Sequence, residues 1–157
     1  MFETRLCDVP FDPARSLAAL AKACPDAGGI ASFVGQVRAQ DDGDSAVDAL
    51  ELSHYEPLTL PGMEALSASA RARFGLSGLV LIHRVGRMAP GDPIVCIAAA
   101  ARHRRAAFDA SEYCIDHLKG AAWLWKRELR AGTWRWIAPR AQDHADLARW
   151  SDKSIGV

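Results

Sequence analysis

Apolar residues alternate with polar ones, or run unbroken for a few positions, in six stretches of the chain: residues 4–9, 29–38, 47–54, 79–85, 94–100 and 134–137. A period of two, or a short continuous apolar run, predicts β-strands there. Between them the spacing changes to that of helices, over residues 13–23, 61–74 and 104–119. In the first helix Asp12 is the expected N-cap and Pro13 the first helical residue, with Leu17, Leu20 and Ala21 on one apolar stripe. The last helix carries Ala107, Phe108, Ser111, Ile115 and Leu118 near one face and meets Gly120, a residue suited to the left-handed conformation that ends helices, so Lys119 falls in its final turn. Strands from both halves of the chain interleave with helices, which predicts a mixed α and β domain spanning residues 1–150 with a loose tail at 151–157.

Two interruptions read as loops. Residues 39–46 are small or polar around Gly43, which predicts an exposed loop of the kind that closes over ligands. Ala89-Pro90-Gly91-Asp92 matches a type II turn between two strands. Trp123 and Trp125, then Trp134 and Trp136, alternate on either side of Arg130-Ala131-Gly132-Thr133. That pattern predicts a hairpin with its indoles on one face, as core or interface anchors, and with Lys126 on the other.

With 157 residues, half of them apolar, the chain can bury a real core. No apolar run approaches the roughly 20 residues that cross a bilayer, and the first residues lack a secretory pattern. Cysteines 7, 24, 96 and 114 form no C-x-x-C pair, so they read as reduced thiols of a cytoplasmic protein. No histidine pair has metal-ligand spacing, and neither a nucleophile elbow nor a phosphate-binding glycine loop occurs.

Charge redraws the picture locally. The net charge is zero, yet residues 1–101 carry eight basic against twelve acidic residues while residues 102–140 carry nine against four. A concentrated basic segment attracts anions: nucleic acid, a phosphorylated small molecule or an acidic protein tail. The neutral total argues against nucleic acid. Arg102-His103-Arg104-Arg105, at a strand-to-helix junction, could grip a phosphate with backbone N–H groups and guanidinium forks, or could simply be a solvated helix start. Only four lysines accompany fifteen arginines, and two of them, Lys119 and Lys126, lie seven residues apart in the basic segment. A lysine among cations can give up its proton where arginine cannot, which suits a base or an amine nucleophile. Composition alone favours the plainer reading, that both are surface charges beside a helix end.

Phe33-Val34-Gly35-Gln36-Val37-Arg38, His83-Arg84-Val85-Gly86, Pro90-Gly91-Asp92, His103-Arg104-Arg105-Ala106-Ala107-Phe108 and Lys119 through Glu128 occur in order, and together they resemble the catalytic, larger subunit of molybdopterin synthase from about residue 33 to 150. The resemblance implies an α+β fold of the α/β-hammerhead type, a largely antiparallel sheet with flanking helices. It implies a sulfurtransferase that moves sulfur from the C-terminal thiocarboxylate of a small ubiquitin-like carrier subunit to precursor Z, a cyclic pyranopterin monophosphate. Lys119 and Lys126 match the catalytic lysines of the family, and Arg38, His103, Arg104 and Arg140 match its substrate-binding residues. No cofactor or metal is implied; the partners are the carrier and a second copy, forming a homodimer within a heterotetramer. The chain ends Ile155-Gly156-Val157 without a terminal Gly-Gly, so it is expected to accept the carrier and not to be one. Gly120-Ala121-Ala122 is smaller, and Arg105 bulkier, than the family pattern. A docking module that holds a ubiquitin-like tail or phosphorylated ligand without catalysis is the alternative.

Overall fold

A computed structural model describes residues 1–40, 45–121 and 123–151. Its elements run β1 (Phe2–Cys7), α1 (Pro13–Ala23), β2 (Gly29–Gln36), β3 (Ala49–His54), α2 (Glu56–Phe74), β4 (Gly78–Arg84), β5 (Gly86–Met88), β6 (Pro93–Ala101), α3 (Arg104–Gly120), β7 (Leu124–Arg130), β8 (Thr133–Ile137) and α4 (Ala141–Ala148). The strands divide between two sheets, ordered β1-β4-β6-β2 and β5-β3-β7-β8. Among the described residues only β1 and β4 pair in parallel. The α+β class with largely antiparallel pairing is as expected, in two sheets and not one.

The continuous apolar runs of β4 and β6 have a direct cause: both faces of these central strands are covered. On one face Leu79, Leu81, Val95, Ile97, Ala99 and Ala101 pack with Met63 and Leu66 of α2 and Ala107, Ala110 and Cys114 of α3. On the other, Val80, Ile82, Cys96, Ala98 and Ala100 pack against Leu20 and Cys24 at the end of α1. Asp12 caps α1 as expected, its Oδ1 accepting the N–H groups of Ala14 at 2.9 Å and Arg15 at 3.2 Å.

Two turns follow the sequence closely. The Asp92 N–H donates to the Ala89 carbonyl at 3.0 Å with Gly91 at φ 89°, the left-handed third position that a type II turn requires. Ala131 at φ 47° and Gly132 at φ 76° make the two-residue connection between β7 and β8, whose paired positive φ values match the strand twist.

Three elements depart from the sequence expectation. Helix α2 begins at Glu56, five residues before Pro61, because Pro57 occupies its first turn and the fully buried Thr59 ties that turn down. The Thr59 Oγ1 accepts the Tyr55 N–H at 3.1 Å and lies 3.0 Å from the carbonyls of Tyr55 and Trp123, one of which takes its proton. Strand β5 is only three residues long, too short for periodicity to reveal. Helix α4 follows the predicted strand at 134–137 and went unpredicted, although Pro139 followed by Arg140 and then Asp143 is a recognisable helix start. Residues 41–44 of the expected loop and 152–157 of the expected tail lie outside the described residues.

Candidate active site

Helix α3 ends where its sequence brings a cation to the partial negative charge of the last carbonyls. Lys119 sits there, its side chain 55% exposed, with Nζ 3.5 Å from Oδ1 of Asp143 on α4. The other oxygen of that carboxylate, Oδ2, accepts the backbone N–H of Arg140 at 2.9 Å. Gly120 does not take the left-handed conformation expected of it, and Ala121 caps the helix in an extended one. The use of glycine here is room: a Cβ at Gly120 would lie 2.5 Å from Cδ2 of Leu147, so the bare Cα leaves space for that side chain of α4. The far end of α4 is fastened by the buried Asp116 of α3, which accepts the Trp150 indole N–H at 2.7 Å and Nη2 of Arg149 at 2.8 Å.

Lys126 lies opposite Leu52 in the pairing of β7 with β3, on the sheet face that also carries Leu50 and Glu128. Its side chain is 42% exposed, with Nζ 3.7 Å from Oε1 of Glu128. Glu128 is buried because Arg130 satisfies its other oxygen: Nε donates to Oε2 at 3.1 Å and Nη2 at 2.8 Å, while Nη1 donates to the Ser45 carbonyl. Each lysine thus has its own carboxylate, and neither carboxylate was singled out by the sequence, since a lone acid in a mixed-charge segment gives no signal.

Arg38 is set from the turn at residues 89–92. The Val37 N–H donates to the Asp92 carbonyl at 3.0 Å and the Gly91 N–H donates back to the Val37 carbonyl at 2.8 Å. The turn is itself held by the Asp92 carboxylate, whose Oδ2 accepts from the Ala89 N–H and from Nη1 of the buried Arg84, both at 3.1 Å. Val37 packs with Leu50, Leu52 and Met88, which puts Arg38 next to the cluster that carries Lys126's register partner.

His103 and Arg104 lie elsewhere. His103 is the N-cap of α3, and it lines, with Gly28, Arg102, Arg104 and Arg105, a hollow of about 410 Å³. The start of β2 presses closely on it: a Cβ at Gly28 would come within 2.2 Å of the Arg102 carbonyl oxygen. No side chain caps α3, so its first N–H groups and three arginines offer an anion site. The helix runs in the same direction as β2, Arg104 lying against Gly29 and the Ser111 hydroxyl donating to the Ala31 carbonyl at 3.3 Å. From His103 to Lys119 is sixteen residues of helix, about 24 Å. One chain therefore keeps Arg38, Lys119, Lys126 and Arg140 apart from His103 and Arg104.

Three of the four indoles lie in the hairpin as expected, whereas Trp123 precedes β7 and packs against the core beside Gly62 of α2. Trp136 lies opposite Arg127 and Trp134 opposite Leu129, so they share the face that carries Trp125, while Lys126 points to the other. Trp136 is 64% exposed, and the Arg127 guanidinium sits 4.5 Å from the centre of the Trp134 ring. Three of the four cysteines are unsuited to nucleophilic work: burial pushes the Cys7 and Cys96 thiols up, and the Cys114 thiol up to about 12. Among the described residues no cluster could hold a metal ion.

His83, beside the Arg84 clamp, is buried, and its Nδ1–H donates to the Arg84 carbonyl at 2.9 Å. Burial pulls it down to about 4 from 6.5, outweighing the hydrogen bond, which acts upward. Below 6.5 the unfolded chain takes up a proton that the folded chain refuses until pH falls to about 4, so stability present above 6.5 is lost progressively across that window. Urea denaturation is expected to show this loss, on the order of 3 kcal/mol in full. The His83→Gln variant should lack that part of the slope; an unchanged slope would mean that His83 is not the group responsible.

Comparison with known proteins places the chain in a family. The model of the MoaE protein family matches residues 6–121. A molybdopterin synthase catalytic subunit from Caulobacter vibrioides is 39% identical over 149 residues, covering 95% of this chain and 97% of the relative. The solved structure of a molybdopterin biosynthesis MoaE protein from Burkholderia ambifaria, 38% identical, superposes with a TM-score of 0.79 over 98% of this chain and 100% of the other. The same fold, at 24% identity and a TM-score of 0.71, occurs in a complex of subunits 1 and 2 of molybdopterin-converting factor from Helicobacter pylori, over 87% of this chain and 91% of that one. By sequence along nearly its whole length and by fold, this chain belongs to the MoaE protein family, that of the molybdopterin synthase catalytic subunits.

Proposed function

We infer that the chain is the catalytic subunit of molybdopterin synthase, a sulfurtransferase of molybdenum cofactor biosynthesis. Its substrate is precursor Z, and its sulfur donor is the C-terminal thiocarboxylate of a small ubiquitin-like carrier. What carries the assignment is the pair of partly exposed lysines, Lys119 and Lys126, either side of the connection from α3 to β7, each beside its own carboxylate. Sulfur held on the carrier fits a chain whose Cys7, Cys96 and Cys114 thiols resist ionisation. The reaction then needs cations, not a thiolate: arginines to hold the phosphate through charge-assisted hydrogen bonds, and an ammonium to stabilise the anion that develops as the thiocarboxylate sulfur displaces an oxygen substituent from a side-chain carbon; water then cleaves the acyl–sulfur bond, leaving the sulfur on the substrate and a carboxylate on the carrier. A second loaded carrier supplies the second sulfur. A cytoplasmic location fits a carrier-dependent reaction and unpaired cysteines; no described helix is long and apolar enough to cross a membrane.

The substrate pocket, in this reading, is shared between two copies. Arg38, Lys119, Lys126 and Arg140 of one copy supply one wall, and His103 and Arg104 of the other supply the phosphate grip. The free edge of β2 suits that contact, because Phe33 and Val34 on it and Phe108 on α3, at 54%, are exposed. A twofold axis across this edge runs the two α3 helices in opposite directions, which brings each helix start to the other's end. Residues 1–150 serve as one catalytic domain, with Trp150 packed in the same core cluster as Leu79 and Ala110.

The purified chain, mixed with thiocarboxylated carrier and precursor Z, is expected to yield molybdopterin in proportion to carrier supplied, two carriers per product. Carrier binding without product would establish a docking module instead.

A further inference from the structure

Helix α4 contributes nothing to either sheet, yet it is fastened to α3 at three points: Lys119 to Asp143, Gly120 to Leu147, and Asp116 to Arg149 and Trp150. Through Asp143 the first of these links two residues proposed for the site, Lys119 and Arg140. One carboxylate, only 16% exposed, sits with Oδ1 at Lys119 Nζ and with Oδ2 on the backbone N–H of Arg140. A helix cap alone needs one oxygen. Asp143 uses its second oxygen outward, on the lysine.

We propose that Asp143 is a positioning residue of the sulfur-transfer site, whose carboxylate holds the Lys119 ammonium and the Arg140 backbone in fixed relation. The proposal rests on Lys119 belonging to that site. An ammonium on a four-carbon stem at a helix end samples many rotamers, and an anion at one fixed place selects among them. Because Asp143 is held in the cap of α4 and the residues after α4 are tethered to Asp116 of α3, the anion's place is set by the fold and not by the flexible chain it restrains. When an anionic tail or substrate arrives, Lys119 can exchange one carboxylate for another with little displacement.

Three substitutions separate the cap from the anion. Asp143→Asn keeps an oxygen for the Arg140 N–H and removes the charge; Asp143→Glu keeps both; Asp143→Ala removes both. Steady-state molybdopterin formation with thiocarboxylated carrier and precursor Z, together with thermal melting of each variant, gives the readouts. Asp143→Asn is expected to melt near the parent temperature and to lose kcat by about tenfold, short of the roughly hundredfold that a full ångström of misplacement can cost. KM for precursor Z should change much less than kcat, Asp143→Glu should recover most of the rate, and Asp143→Ala should lose both rate and melting temperature. Full activity in Asp143→Asn, with Lys119→Ala inactive, would overturn the positioning role while leaving the lysine assignment intact. Full activity in Lys119→Ala would instead remove the premise, whatever the Asp143 variants do. Equal losses in Asp143→Asn and Asp143→Glu that follow melting temperature would reduce Asp143 to a cap.

Discussion

Lys119→Ala is expected to lower the rate of molybdopterin formation by at least about a hundredfold, the usual loss when a group that stabilises a developing anion is removed. Lys126→Ala should fall in the same range. Neither change should unfold the protein. Both side chains are partly exposed, at 55% and 42%, and their ion pairs are long, at 3.5 and 3.7 Å, so each variant should stay within about 1 kcal/mol of the parent in urea denaturation. Single-turnover measurement with saturating precursor Z and preloaded carrier would separate chemistry from carrier docking. A normal rate in either variant would remove that lysine from the mechanism. A loss that tracked unfolding would point to structure in place of chemistry.

The second large effect concerns where the pocket is made. Lys119→Ala and Arg104→Ala homodimers should each be nearly inactive, yet mixing them under conditions that exchange subunits should restore about a quarter of the parent activity, since half of the dimers become mixed and one of their two pockets is intact. A pocket built within a single chain predicts no recovery, because every chain in the mixture then carries a lesion in its own site. The contrast is between a quarter and nothing, which a molybdopterin assay reads directly. The separation of about 24 Å along α3 demands one of two things: a shared pocket, or a substrate-binding role for His103 and Arg104 unconnected with the lysines. Recovery chooses the first.

Much of this arrangement could be read from the residues before the fold was seen. Helices α1 and α3 have their expected starts because proline after a good cap, or a basic cluster after a strand, marks a boundary locally. The strands β4 and β6 announced themselves by continuous apolar runs, and the hairpin by alternating indoles around Ala131-Gly132. What the sequence concealed depends on residues far apart in the chain. Gly120 was read as a helix stop and is a packing site, because the side chain that needs its space belongs to Leu147. Asp143 and Glu128 looked like ordinary acids until the fold set them beside Lys119 and Lys126. The scarcity of lysine nominated Lys119 and Lys126, but no periodicity could tell that His103 and Arg104 lie at the other end of the helix from Lys119. That helix is seventeen residues long, and distance along it, not along the sequence motif, decides which residues can meet.

Helix α3 behaves as a gauge block. With the proposed phosphate grip at its first residue and the proposed catalytic lysine in its last turn, its length sets how far apart the two ends stand, and in the proposed twofold pair the same length is used twice. Side chains along its outer face can vary freely, but the number of residues cannot: one added or lost would turn the ends relative to each other by about 100° and shift them by about 1.5 Å. Both pockets of the dimer would go out of true together. Inserting one residue within α3 is therefore expected to abolish molybdopterin formation, a loss that the same assay would read.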